Sequence, residues 1–282
     1  MKPFLGIDLT ENKKNEEVHG REFLVQELSA AMSQCLESSA EETTETLKKA
    51  KLSLPLRIIQ YVCGFSGLLI LGGILKADVS FAEGYQNAPA LYWIAGICLP
   101  IWLVLWLGGK HKEKQVLSTE ESTQTISHLE GVSNASYSEL GVPADANTVD
   151  ILSFFYKIKD GEIKVQEKAM QVFQYFNLEY KLFCDEENIY LSSLHEKFAF
   201  PRQSLKGIRT VQKHIRLMDW NKEESFNKGI YKEYALTRDN YGCIHCKWYH
   251  ILEIEHKGET FGVYIPGYDL PAWEKITGLT AE

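Results

Sequence analysis

The sequence lacks charge in the two places where it is most apolar. No Asp, Glu, Lys, Arg or His lies in residues 58–75 or in residues 88–107. Soluble core helices seldom run this long without a charge, and a helix crosses a bilayer core with about 20 apolar residues. Transporters, channels and intramembrane enzymes usually carry ionisable groups within their spans. We therefore predict two transmembrane helices, at 56–76 and 88–109, that act as an anchor.

The chain also lacks an excess of basic charge and the signatures of common catalytic sites. Its formal net charge is −8, which argues against nucleic acid as a partner. It has no Gly-x-Ser-x-Gly, no phosphate-binding glycine loop and no His-Glu-x-x-His. The first 50 residues are polar, so we expect no cleavable signal peptide and assign insertion to the first span. An enzyme is therefore disfavoured.

Basic residues lie before the first apolar run, 58–75, and after the second, 88–107, and they predict how the two transmembrane helices are oriented in the membrane. They are Lys48, Lys49, Lys51, Arg57, Lys110, Lys112 and Lys114. Because basic flanks stay in the cytoplasm, both termini are expected there, at the cell membrane, with residues 77–87 as an extracytoplasmic loop. Cys63 and Gly67 form a shallow face on the first span. Packing against the second span is favoured for that face, and a homodimer through the first span stays open.

Three polar regions flank the spans. Residues 1–21 have mixed charge and no periodicity, so they are predicted to be flexible. Residues 22–52 carry an apolar stripe at spacings of three and four, from Phe23 to Leu36, which predicts a cytoplasmic amphipathic helix. Residues 110–136 are rich in Ser, Thr, Glu and Lys, which predicts a linker.

Residues 137–282 have the pattern of a β-rich domain. Apolar alternation and turn residues predict an antiparallel sheet closed by a short helix at 271–277. The predicted strands are 148–158, 163–165, 176–184, 189–194, 197–200, 207–217, 231–237, 247–255 and 260–265. Clustered aromatic residues are assigned to the core of this domain, and a peptide-binding groove lined by some of them stays open.

One stretch of this domain carries a family resemblance. The run FNLEYKLFCDEENIYLSSLHEKFAFPRQSLKGIRTV, at 176–211, resembles the opening of bacterial pleckstrin-homology-like membrane proteins, which often carry a two-helix hairpin ahead of the domain. WNKEESFNKGIYKEY and YDLPAWEKITGL are similar to segments of an uncharacterised bacterial membrane family. The resemblance implies an α+β membrane protein, with a transmembrane hairpin and a cytoplasmic, mainly antiparallel pleckstrin-homology-like domain with a C-terminal helix. It implies no activity.

A basic stripe within the β-rich domain is a candidate docking surface. Lys206, Arg209 and Lys213 lie close together in the sequence and could meet an anionic membrane or an acidic protein partner. A solvated strand face, balanced by nearby acids, is the plainer interpretation. The acidic turn at 185–188 would repel a phosphorylated lipid headgroup at the position that pleckstrin-homology domains use for phosphoinositides.

Cysteines provide the one pattern with the character of a metal site. Cys243 and Cys246 form a Cys-x-x-Cys pair, and His245 or His250 could add a nitrogen ligand for zinc. Ordinary turn cysteines are the plainer interpretation, and a redox dithiol is a third. The four cysteines outside the spans would face a reducing cytoplasm, which disfavours disulfides.

The sequence therefore favours a membrane-anchored cytoplasmic binding or scaffold module, with the lipid bilayer and a protein as its partners. One alternative is a metal- or thiol-dependent sensor that uses the Cys-x-x-Cys stretch. A small membrane enzyme, with no visible catalytic set, is another.

Overall fold

The computed structural model describes residues 1–10, 20–76, 80–160, 162–166, 175–218, 228–239 and 242–282. Within these residues the chain is an α+β protein with seven helices, a four-stranded sheet and a ten-stranded sheet. It divides into a helical unit, residues 31–134, and a β-rich unit, residues 1–30 with 135–282. Sequence on both sides of the helical unit therefore builds the β-rich unit.

Five helices account for the helical unit and its borders. They are α1 (Ala30–Ala50), α2 (Leu54–Lys76), α3 (Phe81–Asn87), α4 (Pro89–Leu117) and α5 (Glu120–Glu139). Helices α2 and α4 are long and apolar enough to cross a membrane. Their apolar side chains are largely exposed: Phe65 is 73% and Val104 is 68% exposed. Water would solvate such surfaces poorly, so they need an apolar environment.

Small residues allow α2 and α4 to pack against each other. A Cβ atom added at Gly64 would lie 2.6 Å from Trp102 Cδ1, and one added at Gly67 would lie 2.8 Å from Leu99 Cδ2. The shallow face of α2 therefore packs within the chain, as the sequence favours. The homodimer through this helix stays a prediction.

The region between the two apolar helices contains a short helix where a loop was predicted. Ser80 caps α3: its Oγ accepts a hydrogen bond from Glu83 N at 3.3 Å, and the Glu83 carboxylate accepts one from Ser80 N at 3.1 Å. This reciprocal capping box stabilises the first turn. Residues 77–79 lie outside the described residues.

The stretch predicted to be a linker, 110–136, is helical except at Ser118 and Thr119. Helix α4 continues to Leu117, and Lys112 Nζ donates to Lys51 O at 2.8 Å. Thr119 caps α5 by accepting a hydrogen bond from Ser122 N on its Oγ1 at 3.2 Å, and acidic residues fill the first turn. Ser122 and Thr125 are buried. The polar composition of this stretch did not predict α5, which is a capped helix with small buried hydroxyl residues.

Fourteen strands lie in the described part of the β-rich unit. They are β1 (Lys2–Pro3), β2 (Ile7–Asp8), β3 (Leu24–Glu27), β4 (Asn147–Lys159), β5 (Glu162–Val165), β6 (Tyr175–Cys184), β7 (Asn188–Ser192), β8 (Glu196–Pro201), β9 (Leu205–Val211), β10 (Ile215–Met218), β11 (Thr237–Arg238), β12 (Cys243–Cys246), β13 (Tyr249–His256) and β14 (Glu259–Pro266). The first sheet has the order β1-β14-β13-β9. The second has the order β11-β12-β10-β6-β7-β8-β3, with β4 pairing β2, β5 and β6.

The N-terminal segment contradicts two predictions. Residues 1–10 of the segment predicted to be flexible, 1–21, contain two strands instead: β1 pairs parallel with β14 and β2 pairs parallel with β4. Residues 11–19 lie outside the described residues. Phe4 and Leu5 are 0% and 2% exposed. The amphipathic helix predicted at 22–52 begins only at Ala30, since residues 24–27 form β3 and pair with β8. These short strands are held by distant partners, which no local periodicity reveals.

Most later strands are confirmed, but two predictions are wrong. The strand predicted at 207–217 is two strands in different sheets, because the chain turns after β9, where Lys213 N donates to Val211 O at 2.9 Å. The strand predicted at 231–237 is broken: residues 231–233 belong to helix α6 (Lys228–Glu233), Ala235 lies in the left-handed region at φ 49°, and only Thr237 is in a strand, β11. Helix α7 (Leu270–Thr277) confirms the predicted C-terminal helix.

Two hydrophobic cores lie on opposite faces of β4. Ile151 belongs to the first core, with Phe198, Phe200 and Trp273 of α7. Leu152 belongs to the second, which contains β10 and β12 residues such as Ile244. Because both faces of β4 are covered, its sequence ILSFFY is nearly continuous in apolar residues.

Candidate functional site

The predicted docking residues lie at the edge of the four-stranded sheet. Lys206 and Arg209 are exposed on β9. Lys206 pairs with Glu255, and Arg209 Nε lies 3.2 Å from Glu253 Oε1, both on β13. Lys213 follows β9 and is exposed. Cross-strand glutamates therefore offset two of the three charges, which lowers the attraction of an anionic membrane for this face.

The chain's own residues occupy part of the β9 edge. Thr210 N donates to Glu282 O at 2.7 Å, and Glu282 N donates to Ile208 O at 3.0 Å. Leu279 and Ala281 pack against the first core. A groove of about 480 Å³ lies here, bordered by Lys206 and Arg209. The β9 edge thus accepts a short extended segment through backbone hydrogen bonds.

The acidic turn at 185–188 has a structural role. Asp185 accepts hydrogen bonds from Tyr190 Oη at 2.7 Å and from Asn188 N at 2.7 Å. The Tyr190 hydroxyl and these backbone donors lower the pKa of Asp185 below its ordinary range. Its carboxylate therefore fixes the turn between β6 and β7.

The structure does not bring Cys243, Cys246 and His250 together as metal ligands. Both cysteines lie on β12, three residues apart, so their side chains point to opposite faces. Cys246 joins the second core, where burial raises its pKa to about 12. His250 lies on β13, with Nδ1 3.1 Å from Thr210 Oγ1. Among the described residues, no three His, Cys, Asp or Glu side chains are arranged to hold a metal ion.

Acidification is expected to destabilise the β-rich unit through His250. Burial lowers the pKa of His250 below 6.5, although Glu274 of α7 opposes this effect. The unfolded chain therefore takes up the proton at a higher pH than the folded chain. Stability from the neutral ring is complete above about pH 6.5 and is lost as the pH falls toward the folded pKa.

Urea unfolding of the full chain between pH 7.5 and pH 5 checks this expectation. A His250→Gln variant cannot titrate, so its free energy of unfolding should fall less over the same interval. An equal fall in both proteins would assign the pH dependence to other groups.

A polar cluster that sequence reasoning missed lies on one face of β10 and β12. Arg216 is opposite His245 in the strand register. Arg216 Nε donates to Asp239 Oδ2 at 2.7 Å, and His245 Nε2 lies 2.9 Å from the same oxygen. The other ring nitrogen of His245, Nδ1, lies 2.9 Å from His214 Nε2. Burial and the neighbouring His245 lower the pKa of His214.

Only the register between β10 and β12 shows that these polar residues lie together. His214 and Arg216 directly follow the basic stripe in the sequence, and His245 lies within the Cys-x-x-Cys stretch. Their proximity depends on the antiparallel pairing of β10 with β12. A single strand predicted at 207–217 concealed that pairing.

A second, buried polar network joins β4 to the start of α7. Asp150 is 1% exposed, and its Oδ2 accepts hydrogen bonds from Tyr268 Oη at 2.7 Å and from Asn177 Nδ2 at 3.3 Å. Asp269 Oδ2 accepts a hydrogen bond from Asp150 N at 2.6 Å. Burial and the two carboxylates raise the pKa of Tyr268 well above 10. Tyr268 therefore acts as a hydrogen-bond donor that orients α7 on the sheet.

The helical unit contains an apolar groove of about 660 Å³. Residues of α2, α3 and α4 line it, including the aromatic pair Phe81 and Tyr92, whose ring centroids are 4.9 Å apart. Its lining is mostly apolar, with Tyr85 and Tyr92 among the residues.

Comparison with protein-family models, with characterised proteins and with solved structures finds no match to this chain. The fold and the site therefore rest on the physical observations above. The resemblance to bacterial pleckstrin-homology-like membrane proteins stays a prediction.

Proposed function

We propose that this chain is a membrane-anchored binding module, held at the cell membrane by α2 and α4 and acting through its β-rich unit. The observation that supports it best is the pairing of β1, β2 and β3 with strands that follow the apolar helices. Segments that share a sheet lie on the same side of a bilayer. The intervening chain would then cross an even number of times, as a two-helix hairpin does.

The orientation of the hairpin follows from its flanks. Lysines precede α2 and end α4, whereas α3 carries Glu83 and no basic residue. The positive-inside rule then places the β-rich unit in the cytoplasm and α3 outside.

Exposed cysteines provide a test of this topology. Cys35 precedes the hairpin and Cys184 follows it, and both thiols are free and exposed, whereas Cys243 and Cys246 are buried. In spheroplasts, a membrane-impermeant maleimide should leave Cys35 and Cys184 unlabelled and should label both after permeabilisation. A cysteine introduced by Gln86→Cys in α3 should be labelled without permeabilisation.

Single Cys35→Ser and Cys184→Ser variants assign each label to its residue. Labelling of either native cysteine in sealed spheroplasts would reject the proposed orientation. Labelling of only one of them would reject the hairpin itself.

We infer a pleckstrin-homology-like arrangement for the β-rich unit. Strands β4, β6, β7 and β8 are neighbours in one sheet, β9, β13 and β14 are neighbours in the other, and α7 follows. This supports the resemblance, since seven strands and a C-terminal helix are the expected elements. The unit also contains seven strands that this arrangement does not include, namely β1 to β3, β5 and β10 to β12.

The β9 edge is our proposed binding surface, and its ligand is an extended segment of a partner protein. Residues 281 and 282 already lie along this edge, which indicates the backbone geometry that it accepts. Lys206 and Arg209 border the groove and would favour acidic side chains in the segment. The sensor alternative at Cys243 and Cys246 receives less support, because their side chains point apart and the Cys246 thiolate is disfavoured.

Site-specific photo-crosslinking in native membranes tests this surface. A photoreactive residue at Arg209 should form an adduct with one partner, and one at the exposed Glu179 of β6 should not. Thr210→Pro removes the edge-facing N–H that bonds Glu282 O, a change that edge strands tolerate. Because Thr210→Pro also removes the hydroxyl that lies 3.1 Å from His250 Nδ1, Thr210→Val is its matched control. The adduct should disappear in Thr210→Pro and persist in Thr210→Val, and the two variants should have similar thermal midpoints. An adduct that persists in Thr210→Pro would contradict strand addition.

A further inference from the structure

Two histidine nitrogens face each other at the surface of the β-rich unit. His214 Nε2 and His245 Nδ1 are 2.9 Å apart. His245 lies on β12 and is one-quarter exposed, whereas His214 lies on the exposed connection between β9 and β10. One ring is therefore held by the sheet, and the other can move by a small rotation.

Asp239 determines which nitrogen of His245 carries the proton. Its Oδ2 lies 2.9 Å from His245 Nε2, and a carboxylate oxygen only accepts, so Nε2 carries the hydrogen. His245 Nδ1 is then an unprotonated nitrogen directed at His214. Asp239 is itself fixed, because Arg216 Nε donates to Oδ2 and Cys243 N donates to Oδ1 at 3.1 Å.

A carboxylate behind a histidine is the usual support of a metal-ligating imidazole, because it fixes the tautomer and raises the basicity of the ligand nitrogen. Zinc–nitrogen bonds of about 2.0–2.1 Å at a tetrahedral angle place two ligand nitrogens roughly 3.3 Å apart. The observed separation of 2.9 Å is close to this value. In the absence of metal, His214 Nε2 donates a hydrogen bond to His245 Nδ1. Zinc binding would require this hydrogen to leave Nε2 (His214 would then carry it on Nδ1) and the exposed His214 ring to turn so that both nitrogens are directed at the ion.

We propose that His214 and His245 bind a divalent transition-metal ion, zinc in the first instance, with Asp239 as the positioning residue. Imidazole nitrogen suits zinc, copper and nickel, and water completes the coordination. Within the described ranges no third His, Cys, Asp or Glu side chain joins the pair. With two protein ligands, the ion is expected to bind more weakly than at a four-ligand structural zinc site. The site is independent of the binding function proposed above.

Zinc titration of the untagged full chain in detergent micelles, against a chromophoric chelator, tests the site. We expect one saturable zinc ion per chain. His214→Gln and His245→Gln should each weaken zinc binding at least tenfold. Asp239→Asn should weaken it about 10–100-fold, because the hydrogen of His245 would no longer be fixed on Nε2. His195→Gln, at an exposed histidine elsewhere, should leave it unchanged.

Because His214 is exposed, His214→Gln should not unfold the β-rich unit, so weaker zinc binding in this variant would report on the site itself. The thermal midpoint of each variant is measured alongside. A Cys243→Ser, Cys246→Ser double variant should retain zinc. Wild-type protein without saturable zinc binding, or equal affinity in His214→Gln, would overturn the proposal. Loss of zinc only in the cysteine variant would overturn it as well and assign the ion to the thiols.

Discussion

A Phe4→Ala variant is expected to lose about 3–5 kcal/mol of the free energy of unfolding of the β-rich unit. Phe4 is fully buried, and its ring meets Phe198 and Phe200 edge-on, with centroids 5.1 and 5.3 Å away. Truncation removes these contacts and leaves a cavity between two sheets that cannot close without moving several strands. Pulse proteolysis of the full chain in urea, in detergent micelles, measures the change.

Lys2→Ala is the matched control for Phe4→Ala. Lys2 lies in the same segment and pairs with Glu259 at 2.6 Å, but both side chains are about half exposed. Its loss should therefore change stability by less than about 1 kcal/mol. A Phe4→Ala protein as stable as Lys2→Ala would show that residues 1–10 do not belong to the core.

Trp273→Ala is expected to destabilise the β-rich unit by a similar 3–5 kcal/mol. Among the described residues the indole is the largest fully buried side chain, and Trp273 is the one residue of α7 that is buried completely in the first core. Asp150 and Tyr268 tie the start of α7 to β4, so a loosened helix would disturb that network too. Hydrogen exchange of peptides from β4 and α7 should increase together.

Two substitutions sharpen the test of Trp273. Trp273→Phe keeps most of the apolar volume and removes an indole N–H that has no hydrogen-bond partner among the described residues, so its cost should be less than half as large. Lys275→Ala changes an exposed residue of the same helix and should cost little. Equal effects of Trp273→Ala and Lys275→Ala would mean that α7 does not close the core.

The elements that could be predicted are those whose signal is local. A charge-free run long enough to cross a bilayer predicts α2 and α4, and alternation on one sheet face predicts β13 and β14. Even the nearly continuous apolar run of β4 identified a strand, although the reason is that both of its faces are buried.

The elements that could not be predicted depend on distant partners or on caps. Lys2 and Pro3 form a strand only because Phe261 and Gly262 lie beside them. Helix α5 has a polar composition, and its start is marked by Thr119, whose role as a cap is visible only once the helix is known.

The candidate sites likewise depend on strand pairing between residues that are distant in sequence. Sequence spacing placed Cys243 beside Cys246, but strand geometry directs them to opposite faces. The pairing of His214 with His245 requires the register of β10 on β12, a contact between residues 31 apart in sequence. Lys206 and Arg209 were identified as basic, but their glutamate partners on β13 depend on strand pairing.

The insertion of the helical unit into the β-rich unit has a consequence for biosynthesis. The ribosome delivers β1 first, yet its partner β14 begins at Glu259. At about 5–20 residues per second, the N-terminal strands wait roughly 10–50 s for β14, while the two apolar helices already emerge from the ribosome. During that interval Phe4 and Leu5 have no core to join. The nascent chain should therefore depend on chaperone protection of residues 1–10, and synthesis without chaperones should yield protease-sensitive protein.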